Sequence, residues 1–376
     1  MKKTLVALAA LAATGAFAQS SVTIDGYFDR SYAVTNSTDN TKDSKLIGSN
    51  AGTTTLGVKV RETLKGGLSI GASFNTDFSD ASGANQDSTA TTASSIQTGG
   101  FANSQSFIDV TGGFGVVRLG MPNNFTLTNV TAVASPAFST GMGSAYSSAF
   151  SIANGIGTGT VGSVGIATQQ ASITSTANAG VRAIRIANTI QYSSPSFSGL
   201  TVHAGYTQKN QNAGTGTDTV GVTEGAVRYT AGPLDAMLST VKYSVGSTSP
   251  TNGSLTASSN NTQNLLGVAY TVMPGLKLHA GLGSFSSSTA VFKGSSQQLG
   301  VTFTTGAFDL MAQMAQVDDK SSTNIDRKMV GLGVNYNLSK TARAYVRYDT
   351  INLGDNVAAA TGSKQNRYAI GVSKSF

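Results

Sequence analysis

The sequence predicts an all-β chain, a 16-stranded antiparallel transmembrane β-barrel with short turns at one end, long loops at the other and a third loop folded inward. Three observations predict it. Apolar residues recur on alternate positions in short blocks, the period of a strand with one greasy and one wet face. Beyond residue 18 no stretch approaches the roughly eighteen consecutive apolar residues that a membrane helix needs. The chain also ends on an aromatic, Phe376, at the close of an alternating segment that carries Tyr368, Ile370 and Val372 on the same face. That suits a last strand which pairs with the first, because a barrel in lipid must leave no backbone edge unsatisfied.

The elements follow in order. Residues 1–18 read as a secretory signal peptide, with Lys2 and Lys3, an apolar run from Leu5 to Ala13, and Ala16-Phe17-Ala18 before Gln19. A single barrel domain, 19–376, is expected after it. Two of the chain's 25 basic residues fall in the signal, which leaves the barrel a surplus of five over its 18 acids. No run of Lys and Arg marks a nucleic-acid surface. Cysteine is absent, which excludes thiolate chemistry and cysteine metal sites. No phosphate loop, metal spacing or dinucleotide fingerprint appears, so no cofactor is expected.

Alternation places strand starts near residues 22, 52, 68, 102, 113, 182, 199, 223, 234, 262, 276, 296, 306, 328, 341 and 365. An even number returns the chain to its starting edge. Val330, Leu332, Val334, Tyr336 and Leu338 share one face against Gly331, Gly333, Asn335 and Asn337, and Leu276, Leu278, Ala280 and Leu282 oppose Lys277, His279, Gly281 and Gly283. The short connections hold Lys65-Gly66-Gly67, Gly232-Pro233 and Pro274-Gly275, while the long ones span 36–50, 79–100, 122–181 and 246–261. All six prolines sit in connections, where a missing N–H breaks no ladder. A sixteen-stranded barrel is wide enough for an aqueous channel unless something folds into it. The segment 122–181 is the candidate, because from Leu119 to Val181 there are 63 residues without an acidic, basic or His side chain. It is read as a constriction loop that includes Pro136-Ala137-Phe138.

On the wet parity fall Lys59, Arg61, Arg185, Arg343 and Arg347, with Arg228, Lys277 and Arg367. Asp25 and Asp29 share it with Asp77, Glu224, Asp235, Asp309 and Asp349. Such charges cost little in a wet lumen and about 2–4 kcal/mol each for Arg or Lys at mid-depth in lipid. Arg30 and Arg118 fall on the apolar parity. His203 and His279 fall on the wet one with no marked Ser, Asp or Glu partner, so no catalytic site is expected.

Five motifs then align in order: Gln19-Ser-Ser-Val-Thr-Ile-Asp-Gly-Tyr-Phe-Asp29, Leu56-Gly-Val-Lys-Val-Arg-Glu-Thr-Leu-Lys-Gly-Gly-Leu68, Phe114-Gly-Val-Val-Arg-Leu-Gly120, Arg185-Ile-Ala-Asn-Thr-Ile-Gln-Tyr-Ser-Ser-Pro-Ser-Phe197 and the terminal Phe376. Over nearly its whole length the chain resembles a Gram-negative trimeric outer-membrane porin of the β-proteobacterial type. The resemblance implies a homotrimer in the outer membrane, contacting lipid and lipopolysaccharide, with a C-terminal strand read by the barrel-assembly machinery. It implies passive diffusion of small hydrophilic solutes and ions. A substrate-specific channel for a sugar or organic acid is the alternative. Thr55, Ser104 and Met121 stand where the family usually places arginines beside the constriction; Lys59 stands where Arg is common, and Arg185 is retained. The neutral third loop lacks the family's carboxylates, so the transverse field of a typical porin is not expected. The pairs Lys59 with Arg61 and Arg343 with Arg347 predict a weak anion preference. The family's trimer contact lies near the first strands and third loop, which makes Arg30 and Arg118 candidate subunit contacts.

Overall fold

In the computed structural model of the chain, the described residues are 20–37, 42–78, 102, 104–138, 140–144, 185, 188–208, 211–212, 217–218, 221–245, 259–287, 293–320, 326–352 and 364–376. The proposed signal peptide and the greater part of the 122–181 loop lie outside them. Apart from a two-stranded ribbon of Gln211–Asn212 with Thr217–Asp218, the described strands form one closed antiparallel sheet with sixteen positions around the barrel. β1 is Ser20–Ser37, and β2 comes in two pieces, Lys42–Ile47 and Thr55–Thr63, which both pair with β1. There follow β3 Ser69–Asp77, β4 Ser106–Gly112, β5 Gly115–Met121, β6 Thr189–Ser193, β7 Leu200–Thr207 and β8 Gly221–Ala231. The remaining strands are β9 Leu234–Val245, β10 Ser259–Met273, β11 Leu276–Ser287, β12 Lys293–Thr305, β13 Phe308–Asp319, β14 Arg327–Asn337, β15 Ala342–Asn352 and β16 Lys364–Ser375.

Each strand pairs with the next, and β16 closes on β1 from Tyr27 opposite Ser375 to Ser37 opposite Gln365. Phe376 completes the seam, its N–H donating to the Gly26 carbonyl at 3.1 Å while the Gly26 N–H donates to its carbonyl at 3.1 Å. The turns at Gly232-Pro233 and Pro274-Gly275 use glycines at φ 53° and 84°, where the left-handed backbone favours a residue without Cβ.

The first long connection differs from expectation. Residues 36–50 read as a loop, yet they hold the end of β1 and the first piece of β2. The described side chains of Lys42–Ile47 are exposed on both faces or nearly so, so this piece stands in water, where no apolar parity is needed and none is visible in the sequence.

Which face is wet is settled by burial. Large apolar side chains of one parity are exposed, among them Val22, Ile24, Phe28 and Tyr32 of β1 and Val330, Leu332, Val334 and Tyr336 of β14. Polar side chains of the other parity are buried, among them Asp29, Glu224, Gln263, Gln298, Gln313 and Asp349. A water-soluble sandwich would reverse this arrangement; a barrel in hydrocarbon requires it.

Candidate functional site: the lumen and its inner loop

After β5 the chain turns inward. Asn124 caps a short helix, α1 (Phe125–Asn129), its Oδ1 accepting the Leu127 N–H at 2.7 Å. One wider turn, Val130–Ala134, follows and is closed by the Ser135 N–H donating to the Val130 carbonyl at 2.8 Å. Phe125, Thr126, Asn129, Val130, Val133 and Ala134 are all buried, one face at the helical period. That face packs on the inner wall in two clusters. Leu127, Val130 and Ala134 meet Leu265, and Phe125 and Val133 meet Ala226, Met237 and Ala269. Each larger apolar side chain so buried contributes roughly 1.5–3 kcal/mol.

Polar bonds fix the position of the loop. The Phe125 N–H donates to Glu224 Oε2 at 2.8 Å, and Gln191 holds Oε1 of the same carboxylate at 2.6 Å. Asn129 Nδ2 donates to the Met237 carbonyl, Ser239 Oγ and the Leu265 carbonyl at 2.8, 3.0 and 2.9 Å. Ser135 Oγ donates to Gln313 Oε1 at 2.7 Å. At the far end the Gly143 N–H donates to Asp349 Oδ2 at 2.8 Å, and Thr140 and Met142 bond to Thr53 and the Asn50 carbonyl. The described part of the loop therefore crosses the lumen from β8 to β15 and ends on the segment that divides β2. Its backbone N–H groups meet carboxylates of the wall. A neutral loop is held because the acids lie on the barrel.

Wall acids engaged with the loop or with cations are not free lumen charges. Asp29 is fully buried and accepts the Tyr345 hydroxyl at 2.5 Å and the Ala51 N–H at 2.6 Å. Asp25 pairs with Lys59 at 2.7 Å, Asp109 with Arg61 at 2.8 Å, Asp77 with Arg185 at 3.5 Å, Asp235 with Arg228 at 2.6 Å and Asp349 with Arg367 at 2.5 Å. Asp309 accepts from Thr304, Asn335 and Asn337. Among the described residues, Arg118, Lys277, Arg343 and Arg347 form no ion pair.

The residues singled out in the sequence are placed as follows. Lys59, Arg61 and Thr55 occupy one face of β2, with Leu56, Val58 and Val60 on the other. Arg343 donates to Ser373 Oγ at 3.1 Å and Tyr27 Oη at 3.3 Å, with its guanidinium 5.6 Å from the Tyr27 ring centroid. Arg347 is 2% exposed and does not line open water. It lies between the rings of Phe138 and Tyr345 at 5.8 and 5.1 Å and donates to Asn335 and two backbone carbonyls. Phe138 is 1% exposed, so of the Pro136-Ala137-Phe138 segment the aromatic seals the loop to the wall. Ser104 is buried with its N–H on the Asn75 carbonyl, and Met121 shares the register face of Leu119, an exposed outer residue.

Arg118 corrects the parity read from sequence. It lies opposite Asp109 on one side and Gln191 on the other, and both of those side chains are buried within the barrel, so Arg118 faces the lumen. Phe114 and Val116 made its parity look apolar, but Phe114 belongs to the turn, before Gly115 at φ 107°. Arg30 does stand on the outer parity, its Nη1 donating to the Asp29 carbonyl at 2.8 Å and its charge 4.7 Å from the Phe28 ring centroid.

The two histidines are lumen-side. His279 Nδ1 donates to the Ala134 carbonyl at 3.2 Å and so serves the loop. His203 meets a serine that the sequence did not mark, Ser193 at 2.8 Å, and packs on Phe125 with ring centroids 4.8 Å apart. Its Nε2 has no partner among the described residues, so the third group of a nucleophilic triad is not present there.

A closed barrel with a greasy exterior, a polar interior and an inward loop is the geometry of a pore. A family model described as Gram-negative porin matches residues 4–356. This chain belongs to that family. It is 30% identical over 363 residues to outer membrane porin protein 32 of Delftia acidovorans, covering 92% of this chain and 88% of that protein. The anion-selective porin from Comamonas acidovorans superposes with a TM-score of 0.73 at 23% identity, over 95% of this chain and 100% of that one. OmpT of Vibrio cholerae in its trimer form superposes with a TM-score of 0.62 at 15% identity, over 95% and 99%. The protein is an outer-membrane porin of the Gram-negative type, built around a channel.

Proposed function

We propose that this porin passes small hydrophilic solutes by diffusion with a weak preference for anions, after removal of residues 1–18, and works as a homotrimer. One observation carries the preference. Of the seven acids that the sequence placed in the lumen, Asp25, Asp77, Asp235 and Asp349 are ion-paired and Asp29, Glu224 and Asp309 are held by hydroxyls, side-chain amides or backbone N–H groups, while among the described residues Arg118, Lys277, Arg343 and Arg347 form no ion pair and meet Asp109, Asp235, Asp309 and Asp29 only at longer range. Unpaired charges on a water-filled wall bias ion traffic, and screening at about 8 Å in physiological salt keeps the bias small. Reversal potentials across a planar bilayer in a potassium chloride gradient are expected to have the anion-selective sign. Arg343→Ala should move them toward zero by a severalfold drop in permeability ratio at most, because a unit charge in water at close range is worth about 1 kcal/mol. A cation-selective sign in the unmodified protein would overturn the reading.

The oligomer reading is supported by Arg30, a cation on the lipid parity of β1, which a neighbouring subunit would shield from hydrocarbon. Arg30→Ala should loosen the trimer in detergent, read as a lower dissociation temperature on native gels. An unchanged temperature would remove Arg30 from the contact.

A further inference from the structure

We propose that Arg118 forms an oxyanion subsite near the short-turn mouth of the lumen, holding a carboxylate or an inorganic phosphate in transit. The proposal rests on the anion-favouring reading above and gives it a place and a ligand class. Arg118 lies three residues into β5 from the turn that joins it to β4. Its guanidinium sits over the inward ring of Phe107, 5.2 Å from the centroid, so one face is braced.

The carboxylate directly across the ladder does not satisfy it. Asp109 Oδ2 accepts Arg61 Nη2 at 2.8 Å and Thr111 Oγ1 at 3.2 Å. Arg118 Nε is buried and has no hydrogen-bond partner among the described residues. Asp109, Arg61 and His203 all lie within electrostatic range of Arg118, so the one nearby acid is opposed by the charge of Arg61. A buried donor without a partner, beside a second guanidinium whose own acid is already shared, calls for an acceptor from outside.

The planar fork of arginine matches an oxyanion through two parallel N–H bonds and matches a spherical halide poorly. Carboxylate and phosphate should therefore dwell where chloride passes. A site that holds each ion before releasing it gives a conductance that saturates with concentration.

The test is single-channel conductance against concentration in potassium acetate, potassium phosphate and potassium chloride. The unmodified channel is expected to saturate in at least one oxyanion salt and to stay near-linear in chloride, and the salt that saturates identifies the oxyanion. Arg118→Gln should raise the half-saturating concentration by about tenfold or more, the usual loss for a bidentate charged pair. Arg118→Lys keeps the charge without the fork and should recover only part of the saturation.

Linear conductance in both oxyanion salts would overturn the subsite, and that result needs no variant. Saturation unchanged in Arg118→Gln would overturn it as well. An anion-selective reversal potential alongside linear oxyanion conductance sinks the subsite alone. A cation-selective potential alongside Arg118-dependent saturation sinks the selectivity reading and leaves the subsite.

Discussion

Val346→Arg will destabilise the folded barrel in lipid vesicles by about 2–4 kcal/mol, the cost of an arginine side chain at the bilayer midplane. Val346 lies near the middle of β15 and is 51% exposed. Val334 and Ile370 flank it across the ladder on the same outer face. An arginine in that row would stand among apolar side chains, with Val334 and Ile370 on either side. The adjacent position already holds an arginine, and the barrel tolerates it. Arg347 points inward, where Asn335 Oδ1 and two backbone carbonyls accept hydrogen bonds from its guanidinium. One step along the strand separates a tolerated charge from an expensive one. Urea titration of folding into vesicles measures the difference, with Val346→Ala as the control for lost packing. A loss under about 1 kcal/mol relative to that control would mean that the face does not touch lipid.

The same contrast shows why so much of the barrel was legible. Lipid on one side and water on the other force period-two patterning on every spanning strand. The Val330–Leu338 and Leu276–Leu282 blocks carry it without interruption, and the register of β14 and β11 follows it. Legibility failed where that pressure lapses. The first piece of β2 stands in water and shows no alternation, and β5 is short enough that Phe114, a turn residue, tipped the reading of Arg118. The loop attachments were beyond reach for another reason. Glu224 meets Phe125 across 99 positions and Asp349 meets Gly143 across 206, and no local pattern relates an acid in one strand to a backbone N–H in a distant neutral loop. The absence of charge from Leu119 onward did carry a signal for the described part of the loop, up to Ser144, whose buried face packs on the inner wall. Its partners became visible only with the ladder in place.

Gly331→Ala will push the far end of the inner loop off the wall and raise the single-channel conductance. A Cβ at Gly331 would stand 2.7 Å from the Gly143 Cα and 2.9 Å from its carbonyl oxygen. Both contacts are backbone, so no flexible side chain can give way. Gly143 itself sits at φ 84°, a conformation it holds while its N–H reaches Asp349 and its carbonyl accepts Gln313 Nε2 at 3.3 Å. Displacing it breaks both bonds, and overpacking of this kind costs about 1–3 kcal/mol. The near half of the loop should stay in place, because Glu224 and Asn129 hold it independently and the two apolar clusters lie more than a strand away. The aperture therefore widens from one end while the barrel remains folded. Asp349→Ala would break the same attachment but strand Arg367 without its acid, a penalty of about 3–5 kcal/mol that confounds loop release with misfolding. The single methyl is the cleaner test. Conductance equal to that of the unmodified protein, in a variant whose folding titration confirms the expected strain, would show that the 140–144 segment does not set the width of the pore.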